Sequence, residues 1–316
     1  MSFQDKENVA KTIKEAKDDF EAKTCVKIIQ KTVEELESEQ IEWYVNITNS
    51  LGCYSNVGVS EEDRNKGQLL HLQEQGCMIK STVIHEFCHA LGMEHEQSRT
   101  DRDKYVKIYQ DRVLKEYKWG FAKTNWENVM EFRDPNLEFL ADSSTELTFY
   151  DVMDITKAYK CSEKCSKPVI ACKNRGFLDH QCNCYCPEGL KGDDCNTIAS
   201  DDCGGIIDLV PGKEVQITSP NYPNSYDVGK ICYWLLRAQN INQTVMVKIQ
   251  DFDLPSNKDL FRCYHWLEIR YNLVGQPGRK YCDDRFYTDK ISSSSFGNPD
   301  LMMLIFDTAT VTGVDA

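Results

Sequence analysis

The stretch His85-Glu-Phe-Cys-His-Ala-Leu-Gly-Met-Glu-His95 holds three of the six histidines in a chain of 316 residues. Residues i and i+4 of a helix share a face, so His85 and His89 can offer two imidazoles to one ion. Glu86 follows the first of them, where its carboxylate can reach a water on that ion. This is the HExxH arrangement, two zinc ligands and a general base. Gly92 can end the helix in left-handed backbone, and the turned chain can then bring His95 in as a third ligand. Given the first five residues, this composition supplies such a glycine and histidine by chance about once in a thousand. Three neutral nitrogens leave a coordination position open to water, which marks a catalytic rather than a structural zinc. Cys88 lies on the flank of the helix and reads as a small buried hydrophobe, not as a fourth ligand.

The elements that must carry these residues follow from periodicity. A helix is expected over 79–92, with Ile79, Val83, Phe87 and Leu91 as one buried stripe and Ser81 or Thr82 able to cap its start. A second amphipathic helix is expected over 6–22, where Val9, Ile13, Ala16 and Phe20 fall at helical spacing. "TCVKIIQKT" and "IEWYVNIT" read as strands, rich in β-branched and aromatic residues.

Composition bounds the rest. The hydrophobic fraction is 41% and the formal net charge −13, which suits globular domains and argues against nucleic acid, whose phosphates need clustered Lys and Arg. No apolar run is long enough for a membrane span. Eleven of the fifteen cysteines fall at or after Cys161, a density that points to an oxidising compartment. The charged opening "MSFQDKENVAKTIKEAKDDF" has no apolar leader. Both hold together if the chain lacks its true N-terminus, so the expected location is secreted, extracellular. Between Cys165 and Cys195 the chain has too few apolar residues for a core and needs disulfide staples. From Cys203 onward, alternating patterns such as "TVMVKIQDF" and "LEIRY" read as an all-β sandwich.

"HEFCHALGMEHEQSRTDRD" resembles the extended zinc signature of the astacin metalloproteases, a branch of the metzincins. Met93 stands where that family usually has an aromatic. The resemblance implies an α+β fold with a metzincin-like catalytic domain at 1–161, one Zn2+ per chain on His85, His89 and His95, and Glu86 as the catalytic base. It places Glu96 and Arg99 in charge-assisted bonds that orient the loop, and Met130 of "NVMEF" as the methionine of the turn beneath the metal. Phe132 stands where the family has a tyrosine whose hydroxyl helps hold the transition-state oxyanion; losing one such donor typically costs 10²–10³ in rate, about 3–4 kcal/mol.

Residues 162–200 resemble an EGF-like module and 201–316 a CUB domain, an arrangement of the nematode type. The disulfide pairing implied is Cys25–Cys161, Cys53–Cys77, Cys165–Cys182, Cys172–Cys184, Cys186–Cys195, Cys203–Cys232 and Cys263–Cys282, leaving Cys88 free. Asn46 in "NIT" and Asn242 in "NQT" fit glycosylation sequons. The implied function is a secreted zinc endopeptidase whose EGF-like and CUB modules recruit protein or peptide substrates, extracellular matrix included. The competing reading is a weakened or inactive protease scaffold that binds proteins.

Overall fold

Helix Lys6–Lys23 starts where Asp5 accepts the Asn8 amide at 3.0 Å, and buries Val9, Ala16 and Phe20. Its neighbour is helix Lys80–Ala90, with Phe20 meeting Phe87 edge-on at a ring separation of 6.0 Å. A three-stranded sheet lies beside them. In it Gln68–Leu72 is the middle strand, parallel to Val45–Thr48 and antiparallel to Cys53–Ser55. Alternation along Gln68–Leu72 buries Gln68, Leu70 and Leu72 and turns Leu69 outward, the pattern of a sheet with one covered face. The computed structural model describes residues 3–113, 129–142, 144–165, 171–200, 202–257, 262–282, 290–294 and 297–309. It forms two compact units, Met1–Ile155 and Thr156–Ala316.

Several expectations need correction. "TCVKIIQKT" forms no strand; Ile29 is 70% exposed. Instead Thr32 and Glu35 exchange side-chain and backbone bonds in a capping box that starts helix Val33–Ser38, a pattern that draws the chain out of extended structure. Of "IEWYVNIT" only Val45–Thr48 is strand. Neither Ser81 nor Thr82 caps the metal helix, whose N-cap is Ile79 with no side-chain bond. The apolar stripe is buried at Val83 and Phe87, but Ile79 is exposed, because it precedes the first turn.

In the second unit, disulfides join Cys165–Cys182, Cys172–Cys184 and Cys186–Cys195, and the described residues of this region form two-residue strand pairs, Phe177–Leu178 with Cys184–Tyr185 and Leu190–Lys191 with Thr197–Ile198. The remainder is all-β. A five-stranded sheet runs in the order Gly204–Asp208, Ile231–Arg237, Leu301–Asp307, Trp266–Arg270, Arg279–Tyr281. Its central strand Leu301–Asp307 is buried throughout. "TVMVKIQDF" contributes only the short strand Met246–Val247. Cys203–Cys232 and Cys263–Cys282 are bonded. Leu190 of the stapled segment packs into one apolar cluster with Leu235, Val274, Leu301, Met303 and Ile305, so the two parts of this unit share a core. Among the described residues, no helix is long and apolar enough to cross a membrane.

Candidate metal centre

The metal helix ends at Gly92, which takes φ +93°, a conformation that costs an L side chain strain but glycine none. Its amide donates to the His89 carbonyl at 2.8 Å, and the Met93 amide to the Cys88 carbonyl at 3.0 Å. These two bonds make a Schellman turn. It reverses the chain and returns His95. The His95 Nε2 then lies 3.2 Å from His85 Nε2 and 3.1 Å from His89 Nε2. Tetrahedral zinc with bonds of about 2.0–2.1 Å sets its nitrogens about 3.3 Å apart. The donor set therefore fits zinc, and among the described residues it is the group of three whose ligand atoms converge, all within 4.8 Å. Desolvation, with His89 and His95 alongside, takes His85 down to about 4, so its nitrogen lone pair is available at neutral pH.

Glu86, next in sequence to His85, is 3% exposed. Burial pushes its carboxyl up to about 7, partly opposed by the Ser55 amide, which donates to it. Its Oε2 has no hydrogen-bond partner despite burial. A buried carboxylate oxygen left open in this way is costly unless a ligand or water meets it, and such an atom on the residue that follows His85 is suited to taking a proton. Ser55 closes the strand Cys53–Ser55, so one edge of the sheet touches the base directly. The Cys53–Cys77 disulfide ties that strand to the segment just ahead of the metal helix.

The other candidate residues are placed as follows. Arg99 Nε lies 3.5 Å from Glu96 Oε2, and its guanidinium forks onto Asp101 at 2.9 and 3.3 Å; Asp101 had not been singled out in the sequence. Met130 opens strand Met130–Phe132, paired with Val106–Ile108, so it lies in a ladder and not in a turn as expected. Asn128 of the same motif lies outside the described residues. Cys25 and Cys161 are each disulfide-bonded, and Cys88, expected as a small buried hydrophobe, is a free thiol of intermediate burial. Asn46 and Asn242 are exposed. Two partners of the site escaped the sequence reading. One is the Met93 carbonyl, 2.7 Å from His89 Nδ1. The other is the Ser55 amide. Both are backbone groups and leave no signal in residue identity.

Comparison with known proteins agrees with this geometry. Residues 2–139 match the model of the Astacin peptidase family and residues 203–312 the CUB domain model. Protein SpAN of Strongylocentrotus purpuratus is 28% identical over 90% of this chain and 50% of its own length. Zinc metalloproteinase nas-36 of Caenorhabditis briggsae is 31% identical over 83% of this chain and 46% of its own. Among solved structures, the zinc protease high choriolytic enzyme 1 of Oryzias latipes aligns with 50% of this chain and 86% of its own at 23% identity and a TM-score of 0.40. The chain spans about half the length of the curated relatives it matches. Around its three-histidine site, the chain thus carries a peptidase domain of the astacin family, followed by a CUB domain.

Proposed function

We propose that this chain is the catalytic and recruiting part of a secreted zinc endopeptidase. The observation that carries the reading is the pairing of three convergent imidazoles with Glu86, whose raised carboxyl and open Oε2 give the site a general base. Bound zinc supplies Lewis-acid polarisation of the scissile carbonyl and an acidified water. His85, His89 and His95 hold the ion, and Glu86 takes the water's proton and passes it to the leaving nitrogen. Among the described residues, the strand Cys53–Ser55 pairs on one side, with Gln68–Leu72, and its other edge suits an extended peptide. The stapled segment 162–200 and the CUB domain serve as recruiting modules for protein substrates. Residue 132 is phenylalanine, so no phenol is available there to donate to a developing oxyanion; this favours a slow enzyme and is the one observation that favours a pure binder.

The test is cleavage of a denatured protein by zinc-loaded chain. Cleavage lost in Glu86→Ala with zinc content unchanged supports the enzyme. Zinc-replete wild-type protein that leaves every denatured substrate intact, with Phe132→Tyr equally silent, supports the binder.

A further inference from the structure

One buried amide side chain joins the sheet of the first unit to the end of the metal helix. Gln68, the first residue of strand Gln68–Leu72, is 3% exposed. Its Nε2 donates to the Asn56 carbonyl at 2.8 Å and to the Ala90 carbonyl at 3.4 Å. Both neighbours only accept, so the amide is held with its nitrogen toward them. Asn56 follows Ser55, whose amide donates to Glu86, and Ala90 follows His89. The Asn56 amide is itself bound to the Leu69 carbonyl at 3.3 Å.

Residues Ser55 to Gly58 therefore lie as a strap across the metal helix. At one end the Ser55 amide meets Glu86. Among the described residues, Oε2 of that carboxylate has no partner, so Oε1 is the oxygen that accepts. At the other end the Gly58 amide donates to the His89 carbonyl at 2.8 Å. Gly58 takes φ +66°, and a Cβ there would meet the Gly92 Cα at 3.5 Å, so strap and helix end approach backbone to backbone. The last carbonyls of a helix lack intrahelical partners; Gly58 and Gln68 reach two of them.

The two halves of the site depend on this strap unequally. The ligands are placed without it. His85 and His89 ride on the helix, and the Gly92 and Met93 amides close the turn that returns His95 through bonds to His89 and Cys88. Glu86 has side-chain torsions of its own to fix, and among the described residues the donor it meets is the Ser55 amide, on a different element. We infer that Gln68 is a positioning residue for the general base. By pinning Asn56 it sets where the Ser55 amide stands, and through that bond it sets which oxygen of Glu86 is left open to take a proton. This role rests on the peptidase reading of the same site.

The experiment uses the full oxidised, zinc-loaded chain and Gln68→Met, which keeps the buried volume and removes the amide donors. With fluorescein-labelled denatured casein as substrate, kcat is expected to fall about tenfold or more, as for a displaced catalytic group. KM, and zinc affinity read by competition with a chelating dye, are expected to stay within about threefold of the parent. Amide hydrogen exchange without substrate is expected to quicken about tenfold or more at Ser55 and Gly58 and to keep the parent's rates in helix Lys80–Ala90. Unaltered exchange at Ser55 and Gly58 overturns the role. So does a zinc affinity that falls together with kcat, which would make Gln68 a brace for the turn at Gly92. If Gln68→Met does not fold, the parent decides: protection of both strap amides is expected, and exchange at the rate of an unprotected loop overturns the role. An active parent whose Gln68→Met variant keeps its kcat fails Gln68 alone, whereas a parent that cleaves nothing fails the peptidase reading and this role with it.

Discussion

His89 Nδ1 stands 2.7 Å from the carbonyl oxygen of Met93. A carbonyl only accepts, so Nδ1 carries the proton and Nε2 presents its lone pair toward His85 and His95. The carbonyl reaches that place because the Schellman turn at Gly92 aims it there. One backbone device therefore ends the helix, fixes a ligand's tautomer and returns the third histidine. Gly92→Ala tests this. A Cβ at Gly92 would meet nothing nearer than the Gly58 Cα at 3.9 Å, so the penalty is backbone strain alone, about 1–2 kcal/mol. Zinc affinity, read by competition with a chelating dye, is expected to fall about 10–100-fold, as for loss of an outer-shell partner. Unchanged affinity would separate the turn from the metal.

Asp19 is a hub of the first unit. Its side chain is 6% exposed; Oδ2 accepts the Leu147 amide at 2.8 Å, and Lys23 and Lys80 approach at 3.0 and 3.5 Å. Burial alone would raise its carboxyl, but the Leu147 amide and Lys23, with Lys80 behind them, outweigh it and hold the group below the usual carboxylate range. A folded value depressed below the unfolded one, about 3.9, adds stability that is complete above the unfolded value. That stability is lost as pH falls through the folded value. Wild-type protein is therefore expected to lose unfolding free energy steeply below about pH 4, and Asp19→Asn to lose less over that window while being destabilised at pH 7 by about 2–4 kcal/mol. Urea titrations at several pH values read both. Parallel pH profiles would remove Asp19 from the account.

What was legible in the sequence was whatever depends on short spacing. Glu86 and His89 lie one and four residues after His85 on a helix, and His95 follows a glycine that only a turn explains, so the site could be assembled before any fold was known. The cystines of the stapled segment were legible for a related reason, since their spacing resembles a known module. Strands were not. "TCVKIIQKT" has β-branched residues in abundance, but strand formation needs a partner, and Thr32 and Glu35 offered the backbone a local alternative. The Ser55 amide on Glu86 and the Met93 carbonyl on His89 were hidden because every residue has those groups; only tertiary placement selects which of them act.

Arg270 and its two carboxylates give a prediction with opposite outcomes at neighbouring sites. Arg270 is 3% exposed and bonds both Glu268, 7% exposed, at 2.6 Å and Glu188, 65% exposed, at 2.5 Å. Glu268 also accepts the Gly278 amide at 2.8 Å. Removing Arg270 strands a buried carboxylate, so Arg270→Ala is expected to cost about 3–5 kcal/mol. Removing the exposed partner leaves Arg270 paired, so Glu188→Gln is expected to cost less than about 1 kcal/mol. Guanidinium unfolding of both variants decides it. Similar costs would mean that the desolvated pair is not the term that matters.

Metal removal should be felt as lost stability even where no substrate is present. The three imidazoles converge only in the folded chain, since His95 depends on the turn at Gly92 to meet His85 and His89. An ion that binds the folded state alone stabilises it by RT ln(1 + [L]/Kd), about 4 kcal/mol at a thousandfold excess over Kd. For a unit of roughly 150 residues that corresponds to a thermal midpoint higher by about 8–16 °C. Stripping the protein with a chelator is expected to lower the midpoint of the first unit by this order, and adding zinc back to restore it. His95→Ala is expected to start low and gain little from added zinc, because two imidazoles four residues apart remain but the third is gone. Glu86→Ala, which removes no ligand, is expected to keep the full zinc-dependent rise. If His95→Ala responded to zinc as strongly as the parent, the ion would be held elsewhere and the three-histidine centre would have no part in binding it.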